Sequence, residues 1–291
     1  SKEKPWGLIL FKRNIKSILQ IKNLIKEIKK LVKDTKFPIL IDEEGSTVSR
    51  LNNIFNHNFE ANYFGKLYKL DKKIATVIYK NYLKTLCDNL RNIGININTI
   101  PVLDVLRNNT NDIIGKRSFS KDKDIVNDLG KITISECHIN KIATVIKHIP
   151  GHGCSTIDSH QKMPKVNLDI KVLNKIDFYP FKSTYSKLAM TAHILYSKID
   201  SKNVSTFSKK IINEIIRKKI GFKGIIMSDD ISMKALKYDL ITNAKKSLLS
   251  GCNLVLYCAG NIKDNFKLIK SVPYIDQFTA KKTSEIYKII R

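Results

Sequence analysis

The chain has 291 residues, 43% of them hydrophobic and 27% charged, which is enough apolar material for a sizeable core and excludes disorder as its main state. Lys and Arg total 52 against 26 acids, a formal net charge of +26, yet only seven of the 52 are Arg. Arg is the side chain that grips phosphate in a bidentate fork and reads guanine, so its scarcity beside abundant Lys, Ile and Asn favours A/T-rich compositional drift over a polyanion-binding surface.

Short apolar or β-branched runs alternate with Lys-rich segments of helical period. In chain order the runs predict strands at Gly7–Lys12, Pro38–Glu44, Asn98–Val105, Ala143–Ile149, Leu188–Tyr196, Gly224–Asp230 and Asn253–Cys258. Between them, apolar residues at three- and four-residue steps predict helices over Ile15–Val32, Lys72–Ile93, Asp122–Asn140, Ser208–Ile220 and Ile241–Leu249. Unbroken strand-helix alternation argues for a parallel sheet with crossover helices. No GxGxxG or GxxxxGK[ST] follows any strand, so dinucleotide and P-loop readings lack their key element.

Polar residues crowd at the C-terminal ends of the strands. Asp42 and Glu43 follow PILI, Asp104 follows TIPVL, Lys147 and His148 follow ATVI, His193 follows AMTA, and Asp229 and Asp230 follow GIIMS. Chemistry contributed by the ends of many strands is the pattern of a (β/α)₈ TIM-type barrel. No repeat, low-complexity tract or linker divides the chain, so residues 1–291 are expected to form a single domain.

The five cysteines, Cys87, Cys137, Cys154, Cys252 and Cys258, are scattered and never form a CxxC pair, which argues against a disulfide framework or zinc knuckle. No apolar run approaches the roughly 20 residues of a membrane span, and the apolar stretch near the start is too short for a signal peptide. A cytoplasmic location is the resulting expectation, with no membrane partner.

Three of the six histidines lie in KHIPGHGCSTIDSH, Lys147 to His160. Pro150, Gly151 and Gly153 exclude a regular helix there, which weakens His148 and His152 as paired metal ligands four residues apart. Asp158 and His160, one residue apart, can form a pair in which the carboxylate orients the ring and raises its pKa, giving a group able to donate and recover a proton near neutral pH. In GFKGIIMSDDISM, strand alternation turns only one of the two carboxylates inward. Asp229 is the candidate reactive group, with Asp230 expected to cap the following helix. Arg50 and Arg117 fall in strand-end loops, where they suit hydrogen bonding to a polar ligand or an exposed salt bridge.

KHIPGHG, DSH, MTAH and GFKGIIMSDDISM, in order, with PWGLILFKRN, IDEEG, PVLDV and KRSF, resemble the bacterial β-N-acetylhexosaminidases of glycoside hydrolase family 3 from Pro5 to about Cys258. The resemblance implies a single (β/α)₈ barrel, of the family's N-terminal type, that releases terminal non-reducing N-acetylglucosamine from peptidoglycan fragments with retention of configuration. It assigns the nucleophile to Asp229, the general acid/base to His160 and the orienting partner to Asp158, and sugar binding to Asp42, Arg50, Arg117, Lys147 and His148. It implies peptidoglycan fragments as partner; no metal, cofactor or nucleic-acid partner is expected, and a monomer is expected.

Two departures stand out. The family reads DxEGGRVxR where this chain reads DEEGSTVSR, so a Gly and an Arg are replaced by Ser46 and Thr47. The family also places a strand ahead of the PWG-like segment, so the first strand is expected to be missing here, leaving a gap between the first and last visible strands. Alternatives are a catalytically impaired carbohydrate-binding homologue, a family 3 glycosidase of other sugar specificity, and nucleic-acid binding driven by the net charge.

Overall fold

A computed structural model describes residues 4–57, 59–108, 110, 114–155, 163–182 and 184–291. A strand forms at or beside each of the seven expected places, as β1 (Leu8–Leu10), β2 (Ile39–Ile41), β3 (Ile97–Asn98), β4 (Ala143–Ile149), β6 (Leu188–Thr191), β8 (Ile225–Asp230) and β9 (Leu254–Leu256), although β3 overlaps the expected Asn98–Val105 only at Asn98 and the expected Leu188–Tyr196 run is divided after Thr191. They hydrogen-bond in parallel in the order β1-β2-β3-β4-β6-β8-β9, while β5 (Lys165–Val166) and β7 (Leu195–Tyr196) make a separate two-stranded pair.

The sheet curls. Inward residues alternate along each strand, and Ile9 of β1 packs into the same cluster as Leu254 and Leu256 of β9, together with Leu40, Ile97, Val145, Leu188, Met190, Ile225 and Met227. The opposite faces, Ile39, Ile41, Ile146, Ala189 and Ile226, pack into the larger core shared with the helices. The barrel expected with its first strand missing is, among the described residues, a curled seven-stranded parallel sheet in which β1 and β9 are edges that do not pair. Arg13 reaches across, its Nη2 donating to the Cys258 carbonyl at 2.5 Å.

The helices are α1 (Ile18–Val32), α2 (Ala61–Leu70), α3 (Lys72–Asn92), α4 (Lys123–Ile139), α5 (Ile170–Lys175), α6 (Leu240–Ser250), α7 (Ile262–Ser271) and α8 (Gln277–Ile289), with a π-helix at Ile211–Lys219. Most begin at a Ser, Asp or Asn whose side chain accepts a first-turn N–H, namely Ser17, Asp71, Asp122, Asp169, Asp239, Asn261 and Asp276. Five of the 26 acids are therefore committed to capping.

Helix α8 crosses the N-terminal mouth of the sheet. Its Thr279 receives Asn253 Nδ2 at 3.3 Å, Thr283 receives Trp6 Nε1 at 2.8 Å, Glu285 pairs with Lys187 at 3.3 Å, and Tyr287 donates to Asp34 at 2.6 Å. Each partner lies just ahead of a strand. Ile286, fully buried, joins the inward apolar cluster from below.

Candidate active site

One step beyond the apolar layer the inward rows turn polar. Leu40 gives way to Asp42, Ile97 to Thr99, Val145 to Lys147 and Met227 to Asp229, each two residues further along its chain. The site floor is thus a continuation of the core pattern with its chemistry exchanged.

Lys147 Nζ lies 3.2 Å from Asp42 Oδ1, 2.5 Å from Glu44 Oε1 and 2.8 Å from Thr99 Oγ1. Arg50 Nη2 takes the other Asp42 oxygen at 3.1 Å and its guanidinium lies over the Phe11 ring. Thr99 also donates to Asp42. Burial opposes the charge on Asp42, but Lys147 and Arg50 outweigh it and hold the carboxyl well below the usual carboxylate range. Arg117 forms a two-point pair with Glu44, at 2.7 and 2.9 Å. Burial likewise works against Glu44, yet Arg117 and Lys147 hold it down at about 2.

A second group centres on Asp104, whose side chain is fully buried. His148 Nδ1 lies 2.7 Å from Asp104 Oδ2, and the backbone N–H groups of His148 and His152 donate to the same carboxylate at 3.3 and 2.6 Å. Against burial, the two histidines keep Asp104 below its ordinary pKa. His152 is pushed down to about 4 by burial and by its neighbour His148, and so remains neutral at pH 7.

Asp229 closes the ring. Burial raises its pKa, but His193, His148 and the Asp230 N–H together bring it below the ordinary value, so it is a carboxylate at neutral pH. The Asp230 N–H donates to Asp229 Oδ1 at 2.8 Å. Asp230 itself does not cap a helix as expected: its carboxylate accepts from the Ser232 N–H at 3.0 Å and the Cys258 N–H at 3.1 Å, tying the loop to the end of β9, while α6 begins later, at the Asp239 cap.

Both strand ends that carry these groups are irregular. Ile146 and Ile149 of β4 oppose Ala189 and Thr191 of β6, and Met227 and Asp230 of β8 oppose Leu254 and Leu256 of β9. One extra residue is accommodated at Lys147–His148 and one at Ser228–Asp229, which are bulges at the site residues.

The described residues thus bring together Asp42, Arg50, Arg117, Lys147, His148 and Asp229. Asp158 and His160 lie outside the described residues. Sequence reading gave no role to Glu44, Asp104 or His193, although it noted the last two at strand ends. Glu44 had a usable signal, since it shares parity with Leu40 and Asp42. The altered loop is fastened in its own way: Ser46 and Thr47 both donate to Glu60, the latter at 2.6 Å.

The family model for the glycosyl hydrolase family 3 N-terminal domain matches residues 2–283. The beta-hexosaminidase of Actinobacillus succinogenes is 33% identical over 284 residues, spanning 93% of this chain and 80% of that protein. The beta-hexosaminidase of Haemophilus influenzae is 32% identical over 281 residues, spanning 92% and 78%. NagZ from Neisseria gonorrhoeae, crystallised with N-trifluoroacetyl-D-glucosamine, matches with a TM-score of 0.87 at 28% identity, covering 97% of this chain and 82% of that one. Sequence and architecture agree across nearly the whole chain, which belongs to glycosyl hydrolase family 3 as a β-hexosaminidase-like glycoside hydrolase.

Proposed function

We propose that this protein is a retaining exo-β-N-acetylglucosaminidase that releases terminal non-reducing N-acetylglucosamine from peptidoglycan fragments, acting as a cytoplasmic monomer. The observation that carries the reading is Asp229, an ionised carboxylate at a bulged strand end, facing Lys147, His148 and His193 across a ring of paired charges. A retaining hydrolase needs such a nucleophile on one face of the sugar and a proton donor for the leaving oxygen.

In the first step an Asp229 oxygen bonds to the anomeric carbon as the bond to the leaving oxygen breaks, and His160 delivers its proton to that oxygen. In the second step His160 takes a proton from water, the hydroxide oxygen bonds to the same carbon, and the Asp229 ester bond breaks. Asp158 orients His160 and stabilises its charged form. Asp42 accepts from sugar hydroxyls, while Arg50, Arg117, Lys147 and His148 fix the sugar and the Asp42 and Glu44 carboxylates in place.

The test is to incubate the protein with a 2-fluoro-type glycosyl donor, digest it and map the adduct by mass spectrometry, alongside hydrolysis of an aryl N-acetyl-β-glucosaminide. A label on Asp229 with release of the aryl group supports the reading. Turnover with the label elsewhere, or sugar binding without turnover, sinks it.

A further inference from the structure

The bulge that carries Asp229 leaves backbone groups off the sheet ladder, and buried side chains take them up. On the β9 side, Leu256 N–H donates to Ser228 Oγ at 3.0 Å instead of to a β8 carbonyl, and the ladder resumes with Ile231 N–H to the Leu256 carbonyl at 2.9 Å. On the β6 side, the Asp230 carbonyl is met by His193 Nε2 at 3.0 Å. A carbonyl partly withdrawn from water is costly to leave without a donor, and this contact ties the end of β8 to the His193 side chain.

His193 is itself locked. A carbonyl only accepts, so Nε2 carries the proton, and in the neutral ring Nδ1 must accept. It accepts from the Thr206 hydroxyl at 2.7 Å; the competing carbonyl of Ala192 stands further from that hydroxyl, at 3.3 Å. Thr191 completes the chain, 2.8 Å from Thr206. All three side chains are buried, at 1% exposure or less. The result is a relay, Thr191 to Thr206 to His193 to the Asp230 carbonyl, that starts on β6 and ends on the peptide next to the nucleophile.

The geometry points to His193 as a positioning residue for the hydrolytic reaction: through its hydrogen bond to the Asp230 carbonyl it holds the β8 bulge that aims Asp229 at the anomeric carbon. The inference rests on the reading of Asp229 as nucleophile. Ser228 holds the other side of the same bulge. A misaimed nucleophile leaves the sugar bound and slows only bond formation, since reach and angle enter the barrier steeply.

The test compares wild type with His193→Leu, which removes the donor, His193→Gln, whose amide restores a donor at the Nε2 position, and Ser228→Ala. Two quantities are read: the first-order rate of Asp229 labelling by the 2-fluoro-type donor, and the dissociation constant for N-acetylglucosamine. For His193→Leu the labelling rate is expected to fall on the order of 100-fold while the dissociation constant changes less than about threefold. His193→Gln recovers most of that loss, and Ser228→Ala gives a smaller fall of the same kind. A labelling rate unchanged in His193→Leu, a Gln variant no better than Leu, or binding lost in step with labelling overturns the positioning role. Wild-type label at a residue other than Asp229 overturns the nucleophile reading instead, so the two failures are distinguishable.

Discussion

Lys147 is the residue on which the site's charges converge. It is 2% exposed and touches two carboxylates and a hydroxyl, so its removal leaves Asp42 and Glu44 as neighbouring anions with Arg50 and Arg117 as their remaining cations. Breaking a buried pair from one side is far more damaging than never having it. Lys147→Met is therefore expected to lower stability by about 3–5 kcal/mol, read from urea denaturation, and Lys147→Met combined with Glu44→Gln should recover part of that loss. A single variant as stable as wild type would show that Arg50 and Arg117 suffice to hold the two acids. Part of this was legible beforehand: strand parity places Leu40, Asp42 and Glu44, and likewise Val145 and Lys147, on the inward face, and puts Asp229 there two residues beyond Met227. Which acid meets which cation was not legible, because the Glu44 to Arg117 and Asp104 to His148 pairs join residues tens of positions apart and depend on the curl of the sheet.

At the scale of elements, the seven strands were readable because buried parallel strands are near-continuous apolar runs. Their bulges were not, since an extra residue in a ladder leaves no periodic trace. Helices α1, α3, α4 and α6 were found, and the expected Ser208–Ile220 helix is the π-helix, whereas α2, α5, α7 and α8 were not predicted. Helix α8 buries only Thr279 and Ile286 fully, so its pattern is too thin to stand out from its Lys-rich surroundings. Those few contacts still matter. Ile286→Asp would place a carboxylate against the inward apolar cluster with no partner, and is expected to cost more than about 3 kcal/mol in a denaturant titration. A neutral result would mean that α8 is an accessory to the sheet and not part of its core.

For the whole molecule, the buried ionisable groups predict how stability depends on pH. His138 and His152 are both pushed down to about 4, by burial first, so the unfolded chain takes up their protons before the folded one does. Their contribution is complete above about 6.5 and is lost as pH falls toward 4. Glu44, held at about 2, contributes fully above about 4.5 and loses this as pH falls toward 2. The signs agree, and protonating acids on a chain already at +26 adds repulsion. Urea midpoints are expected to be level near neutrality, to decline below pH 6.5 and to drop further below 4.5. A midpoint that rises on acidification would contradict the buried, paired state of these groups. The charge that first invited a polyanion reading is mostly lysine on helix exteriors.

The plug at the foot of the sheet also bears on how the protein is made. Helix α8 follows every strand in the chain, so on the ribosome the curled sheet emerges before the element that closes its lower mouth. Until Thr279, Thr283 and Ile286 leave the exit tunnel, Trp6, Asn253 and the inward faces of β2, β6 and β8 stand open to water and to other nascent chains. Arrival of α8 covers this apolar mouth, so the interval between emergence of β9 and emergence of α8 is the one in which the sheet is most exposed to aggregation.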